Sequence, residues 1–181
     1  MKKKIIRYLI VSHLTFILSI GGMAVAFYYY HTAQMAQIKN ANILLISKDE
    51  MKLRLIDYKG QELFTADIAC GKNYGNKEKQ GDLKTPEGTL IDIQDASKWK
   101  HHFGDGKGEI EGAYGNHFIR LETPGHKGIG IHGTHDPLSI GTRATEGCIR
   151  IKNSELEQLV SLIRVPTTVI ITPSVKDIKT Q

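Results

Sequence analysis

Gly128-Ile129-Gly130-Ile131-His132-Gly133-Thr134 and Thr145-Glu146-Gly147-Cys148-Ile149-Arg150-Ile151-Lys152 are the two runs that decide the fold. They read as strands at Gly128–His132 and Cys148–Lys152, so His132 ends one and Cys148 begins the other, sixteen residues later. Pro137 and Gly141 let the intervening chain turn back. Adjacent strand ends of this kind bring an imidazole within hydrogen-bond reach of a thiol. A cysteine is a strong nucleophile only as thiolate and needs a neighbouring base or cation. Gly147 allows a sharp turn that frees backbone N–H groups to face an oxyanion. The pair therefore points to acyl transfer through a thioester.

Strand signals dominate the flanking chain. Asn42–Lys48 and Lys52–Tyr58 form a hairpin about Asp49-Glu50, and after Lys59-Gly60 a third strand covers Glu62–Cys70. These connections are too short for a crossover, so the meander is antiparallel. Gly71 to Asp82 has loop composition, and a strand follows at Leu90–Ile93. Gln94 to Asn116 is irregular but holds Trp99, His101, His102, Phe103 and Tyr114. It is either a lid over a substrate cleft or a poorly ordered insertion, and its aromatics favour the lid. His117–Glu122 is a further strand. One helix follows the cysteine, with Ser154 as cap, Glu157 closing a capping box, and Leu156, Leu159, Val160 and Ile163 on one face. Pro166 ends it and Thr168–Thr172 is the closing strand. The expected class is mainly β, a curved sheet or sandwich with one packed helix.

The N-terminus differs in kind. Lys2, Lys3, Lys4 and Arg7 precede an apolar stretch from Tyr8 to Tyr30, long enough to span a bilayer as a helix. The basic cluster places residues 1–7 in the cytoplasm and the chain after Tyr30 outside. Residues 1–30 are thus a membrane anchor or, through Ala24-Val25-Ala26, a cleaved signal segment. A connector at 31–41, a catalytic domain at 42–175 and a polar tail at 176–181 complete the organisation. The formal net charge is +5, four of which the N-terminal cluster supplies. No basic stripe interleaved with aromatics remains, so no nucleic-acid partner is expected. Cys70 and Cys148 either form a disulfide, as an exported pair would, or Cys70 is a small buried hydrophobe on its strand.

With His132-Gly133-Thr134, Gly141 and Thr145-Glu146-Gly147-Cys148-Ile149-Arg150 in place, the chain resembles the L,D-transpeptidases of the YkuD type. Their pattern is His-Gly-Thr, a Gly-containing loop, then Ser/Thr-His-Gly-Cys, an aliphatic residue and Arg or Asn. Lys84-Thr85-Pro86-Glu87-Gly88-Thr89 is similar to the family's Thr-Pro-x-Gly-Thr segment, and the likeness covers about residues 42–172. Glu146 departs from it, standing where the family usually has histidine.

The resemblance implies a YkuD-like fold and a peptidoglycan enzyme of the bacterial cell envelope, on the outer face of the inner membrane. Cys148 would attack the carbonyl of the third residue of a tetrapeptide stem, with His132 as base and then acid. D-Ala would leave, and an amine would take the acyl group to give a 3→3 crosslink; water instead would make an L,D-carboxypeptidase or amide hydrolase. Backbone N–H groups of Gly147 and Cys148 are the expected oxyanion donors, with Gly133, Thr134 and Thr145 shaping the site. Arg150, Trp99, Tyr114 and His135 are candidates to touch substrate, and no metal or organic cofactor is required. Two other readings stay open. Some of His126, His132, His135, Asp136 and Cys148 could build a zinc site. A wall-binding module with an idle cysteine is the non-enzymatic reading.

Overall fold

The protein is described by a computed structural model that covers residues 2–39, 42–90, 93–97, 113–163 and 167–179. The chain divides into two compact units, Met1–Asn40 and Ala41–Gln181.

The first unit is one helix, α1 (Lys2–Lys39), without an acidic residue. Over Lys4–Ala36 it is long and apolar enough to cross a membrane, by length and composition. Its apolar side chains stand exposed, Ile5, Leu18 and Phe27 among them. The helix continues through most of the segment expected as a connector, because residues 31–39 contain no Gly or Pro and hold good helix formers such as Ala33, Gln34 and Met35.

The second unit contains, in chain order, β1 (Asn42–Ser47), β2 (Lys52–Asp57), β3 (Glu62–Asp67), β4 (Cys70–Gly71), β5 (Gly88–Leu90), β6 (Ile93–Ser97), β7 (Phe118–Leu121), β8 (Gly130–His132), β9 (Arg143–Thr145), β10 (Ile149–Arg150), α2 (Asn153–Leu162), β11 (Thr168–Thr172) and α3 (Val175–Ile178). One sheet has the order β3-β2-β1-β11-β5, a second β10-β8-β7-β6, and β4 pairs with β9. The β1-β2-β3 meander is antiparallel as expected. Its second turn is built by Asp57, whose carboxylate accepts the N–H groups of Lys59 and Gln61 at 2.8 Å, with Gly60 at φ 81°. Alternate residues of the meander, Leu44, Ile46, Leu53 and Leu55, are fully buried. They join Ile119, Ile131 and Ile149 of the second sheet and Leu156 and Leu159 of α2 in one core. The fold is therefore mainly β with a packed helix.

Several boundaries differ from expectation. The third strand breaks after Asp67, and Cys70 belongs to the separate strand β4, parallel to β9. There Cys70 is fully buried, and both cysteines are free thiols. The stretch expected to be irregular from Gln94 begins as strand β6, antiparallel to β7. Trp99, His101, His102 and Phe103 lie outside the described residues.

Helix α2 starts one residue before the expected cap. Lys152 is its N-cap, and Glu155 accepts the Lys152 N–H at 3.2 Å. A lysine side chain has no acceptor, so only half of a capping box is made. Glu157 instead reaches Asn116 and His117, at 2.9 Å each.

The segment expected as a polar tail carries α3, whose Asp177 is fully buried. Lys48, also buried, lies 3.2 Å from Asp177 and 2.5 Å from Glu87, and Arg143 lies 2.9 Å from Asp177. Buried cations of this kind require an anion, and the chain end supplies it.

Candidate active site

Strand β8 lies between β7 and β10, with Phe118 and Arg150 both opposite His132, and Ile119 and Ile149 both opposite Ile131. Ile119, Ile131 and Ile149 are fully buried in the core. Side chains alternate along a strand, so Phe118, His132 and Arg150 share the other face. Cys148, expected to begin this strand, stands just before it, beside Gly130, whose N–H is hydrogen-bonded to the sulfur.

Gly130 is fixed by its neighbour. A Cβ there would fall 2.3 Å from Cε1 of Phe118, whose ring lies across the glycine. That ring stacks on the His132 imidazole at 8° and 5.8 Å between centroids, and the Tyr114 ring lies 4.2 Å from the imidazole. His132 is only 4% exposed. Its Nδ1 sits 2.7 Å from the Gly133 carbonyl oxygen. A carbonyl only accepts, so Nδ1 carries the hydrogen and Nε2 is the lone-pair nitrogen of the neutral ring.

The residues after His132 are clamped. Gly133 donates its N–H to the Tyr114 carbonyl at 2.7 Å, and Thr134 donates its N–H to Oδ1 of Asn153 at 2.7 Å. A Cβ on Gly133 would lie 2.1 Å from that Asn153 oxygen, which explains the glycine. Thr134 is buried and its hydroxyl accepts the Asp136 N–H at 2.8 Å. His135 is exposed on the following bend.

The cysteine turn is held from both sides. Thr145, buried, donates its hydroxyl to the Cys148 carbonyl at 2.6 Å, and its Oγ1 accepts the Gly147 N–H at 3.2 Å. Thr85 donates to the Gly147 carbonyl at 3.0 Å. Gly147 has φ 136°, and a Cβ on it would stand 2.8 Å from the Lys84 carbonyl oxygen. Of the two expected oxyanion donors, the Gly147 N–H is thus already turned to Thr145.

Cys148 is partly buried, with Sγ 3.4 Å from the Gly128 carbonyl oxygen. Burial pushes its thiol up to about 11, against a backbone hydrogen bond from Gly130 and the positive charges of Lys77 and Arg150, while Glu146 adds to the rise. Near neutral pH Cys148 therefore rests as a protonated thiol. Burial first, then the negative charges of Cys148 and Glu146, push the Tyr114 phenol up to about 12, so it stays a hydrogen-bond donor.

Arg150 is 7% exposed and donates to Ser139 Oγ at 3.0 Å, while its Nε has no partner among the described residues. Burial holds its guanidinium below the usual range. His126 turns its Nε2 to the Lys77 carbonyl at 3.1 Å. Among the described residues no three His, Cys, Asp or Glu side chains converge as metal ligands.

Cys148, His132, Gly147, Gly133, Thr134, Thr145, Arg150 and Tyr114 are thus brought together. His135 stands at the exposed edge, and Trp99 is outside the described residues. Phe118, Gly130, Asn153 and Lys77 escaped the sequence reading. The alternation of Phe118 and Gly130 with core isoleucines carries a signal for the first two.

The sequence pattern of the L,D-transpeptidase catalytic domain, YkuD, matches residues 41–171. A putative L,D-transpeptidase YkuD of Bacillus licheniformis is 39% identical over 62 residues, 34% of this chain and 36% of that protein. The match thus spans about a third of the relative's length. The helical cell shape determining protein Pgp2 of Campylobacter jejuni is similar in structure, with TM-score 0.55, 26% identity, and coverage of 74% of this chain and 48% of that one. The catalytic domain of the E. faecium L,D-transpeptidase shares the fold at TM-score 0.54 and 17% identity, over 74% of this chain and 98% of that one.

Proposed function

The chain belongs to the L,D-transpeptidase catalytic-domain family, YkuD, and from that premise we propose that it remodels peptidoglycan by acyl transfer through Cys148. The observation that supports this reading is the parallel register of β8 and β10, in which Arg150 pairs with His132 and Cys148 immediately precedes β10. With Nδ1 held by Gly133, Nε2 is the nitrogen that takes the thiol proton.

Sulfur attacks the carbonyl of the third stem residue as the proton passes to His132. The bond to D-Ala breaks, and His132 returns the proton to the leaving amine. A thioester remains. An acceptor amine then attacks it, His132 removes the excess proton, and the C–S bond breaks to give a 3→3 crosslink and the restored thiol. The Cys148 N–H is the main-chain donor for the oxyanion, and the neutral Tyr114 hydroxyl is a second. Arg150, through its unpartnered Nε, His135 from the rim, and Trp99 are the substrate contacts. Gly133, Thr134 and Thr145 hold the two turns in place.

Helix α1 supports an extracytoplasmic location, with residues 1–30 as anchor or signal segment and the catalytic domain beyond residue 41 facing the wall. Incubating the full chain in detergent with wall digest and separating the products by mass tests the reaction. Dimers linked between third residues support it. Tripeptides alone would make water the acceptor and the enzyme an L,D-carboxypeptidase.

A further inference from the structure

Lys77 stands in the loop between β4 and β5, and it is only 8% exposed. Its ammonium donates to Oδ1 of Asp82 at 2.8 Å and reaches the Lys84 carbonyl at 3.5 Å. Asp82 also accepts the N–H groups of Glu78, Lys79 and Lys84, at 2.8, 3.0 and 3.1 Å, which closes the loop around its carboxylate. Burial alone would raise the Asp82 carboxyl, yet these donors hold it well below the usual carboxylate range.

The loop presses on the nucleophile turn. Lys77 Nζ and the Lys84 carbonyl oxygen lie 3.4 and 2.8 Å from the point where a Cβ on Gly147 would stand. Thr85 ties the same segment to the Gly147 carbonyl and accepts the Gly71 N–H at 2.8 Å. An ammonium is thus fixed against the residue that precedes Cys148. Among the described residues, the other charged and titratable groups beside the thiol are Glu146 on its own turn, Arg150 on β10, His132 on β8 and Tyr114 before β7. Glu146 is exposed, and Arg150 is partly engaged by Ser139.

We propose that Lys77 is a positioning residue for the nucleophile: its ammonium, held by Asp82 against Gly147, favours negative charge on Cys148 and opposes the Glu146 carboxylate. The proposal rests on Cys148 as the reacting group. The charge acts at sulfur as the thiol gives up its proton and attacks.

The test is the rate of iodoacetamide alkylation of Cys148 in the full chain in detergent micelles at about pH 8, with Cys148→Ala supplying the background from Cys70. Each unit rise in thiol pKa removes about tenfold of thiolate, offset in part by its greater nucleophilicity, for a net slowing of about threefold. Lys77→Met should slow alkylation at least that much, and Lys77→Arg should restore it. The double variant Lys77→Met/Asp82→Asn should also be slow, although it leaves no orphaned carboxylate. An unchanged rate in Lys77→Met and in the double variant, with an unaltered unfolding midpoint, overturns the proposal. If Lys77→Met does not fold, the double variant decides, since it leaves no buried unpaired charge. Alkylation needs no stem peptide. An unchanged rate beside intact transpeptidation therefore removes only the role of Lys77, whereas the expected slowing without any transpeptidation removes the proposed reaction.

Discussion

Thr145 and Cys148 are joined by a 2.6 Å hydrogen bond from the threonine hydroxyl to the cysteine carbonyl, and the threonine Oγ1 in turn accepts the Gly147 N–H. One buried hydroxyl thereby ties the peptide before Gly147 to the peptide after Cys148. Thr145→Val keeps the shape but leaves these groups unpaired, a loss of about 1–3 kcal/mol. We expect kcat/KM to fall at least tenfold, and Thr145→Ser to recover most of it. Steady-state rates beside denaturant unfolding curves check this; an unimpaired Thr145→Val enzyme refutes the role.

His132→Ala removes the only imidazole on the Cys148 face of β8. General-base assistance is worth about 10²–10⁴-fold, and with a thiol near 11 the enzyme cannot rely on a preformed thiolate. Acylation by a carbapenem, followed by intact mass, should slow by that order. Retention of the full rate would reveal another base.

Glu146 raises the Cys148 thiol and is exposed. Glu146→His should fold normally, lower the pH at which Cys148 alkylates, and leave activity equal to or above the parent's. The pH profile of alkylation and a thermal melt decide it. Loss of the fold would show that Glu146 is structural.

Asp177 offers a stability test far from the chemistry. Burial would raise its carboxyl, but hydrogen bonds from Ser174 and Gly75 and the charge of Lys48 hold it well below the usual carboxylate range. A depressed pKa contributes stability that is complete above the ordinary carboxylate value of about 4 and fades as pH falls through the folded value. Asp177→Asn should cost about 3–5 kcal/mol at neutral pH, because Lys48 and Arg143 lose a buried partner. The difference from the parent should narrow in acid below about pH 4. Urea melts at two pH values measure both; a gap that does not change with pH contradicts the assignment.

The motif around His132 and Cys148 was legible because it is local: strand patterning, a glycine turn and a short connection place both residues without knowledge of the rest. The β1-β2-β3 meander was legible for the same reason. The parallel pairing of Ile43 with Thr168 and the burial of Asp177 against Lys48 were not, since they join opposite ends of the domain. Sequence polarity made residues 176–181 look like a tail, because an ion buried with its partners has the same composition as a solvated one. Lys77 was hidden likewise, one charge in a charged loop until the fold sets it beside Gly147. The start of α2 was less legible, because its N-cap Lys152 has no side-chain acceptor to announce it and is held instead through its backbone N–H by Glu155.

Trapping the acyl-enzyme tests the central claim most directly. The full chain is incubated with a stem tetrapeptide ending in D-Ala, quenched in acid, and measured by intact mass and after proteolysis. The account predicts an adduct on Cys148 of the peptide less D-Ala, with free D-Ala released in equal amount and no adduct in Cys148→Ser, whose hydroxyl is far less ionised than a thiol. D-Ala release without any adduct on Cys148, or wild-type-like turnover in Cys148→Ser, would contradict it.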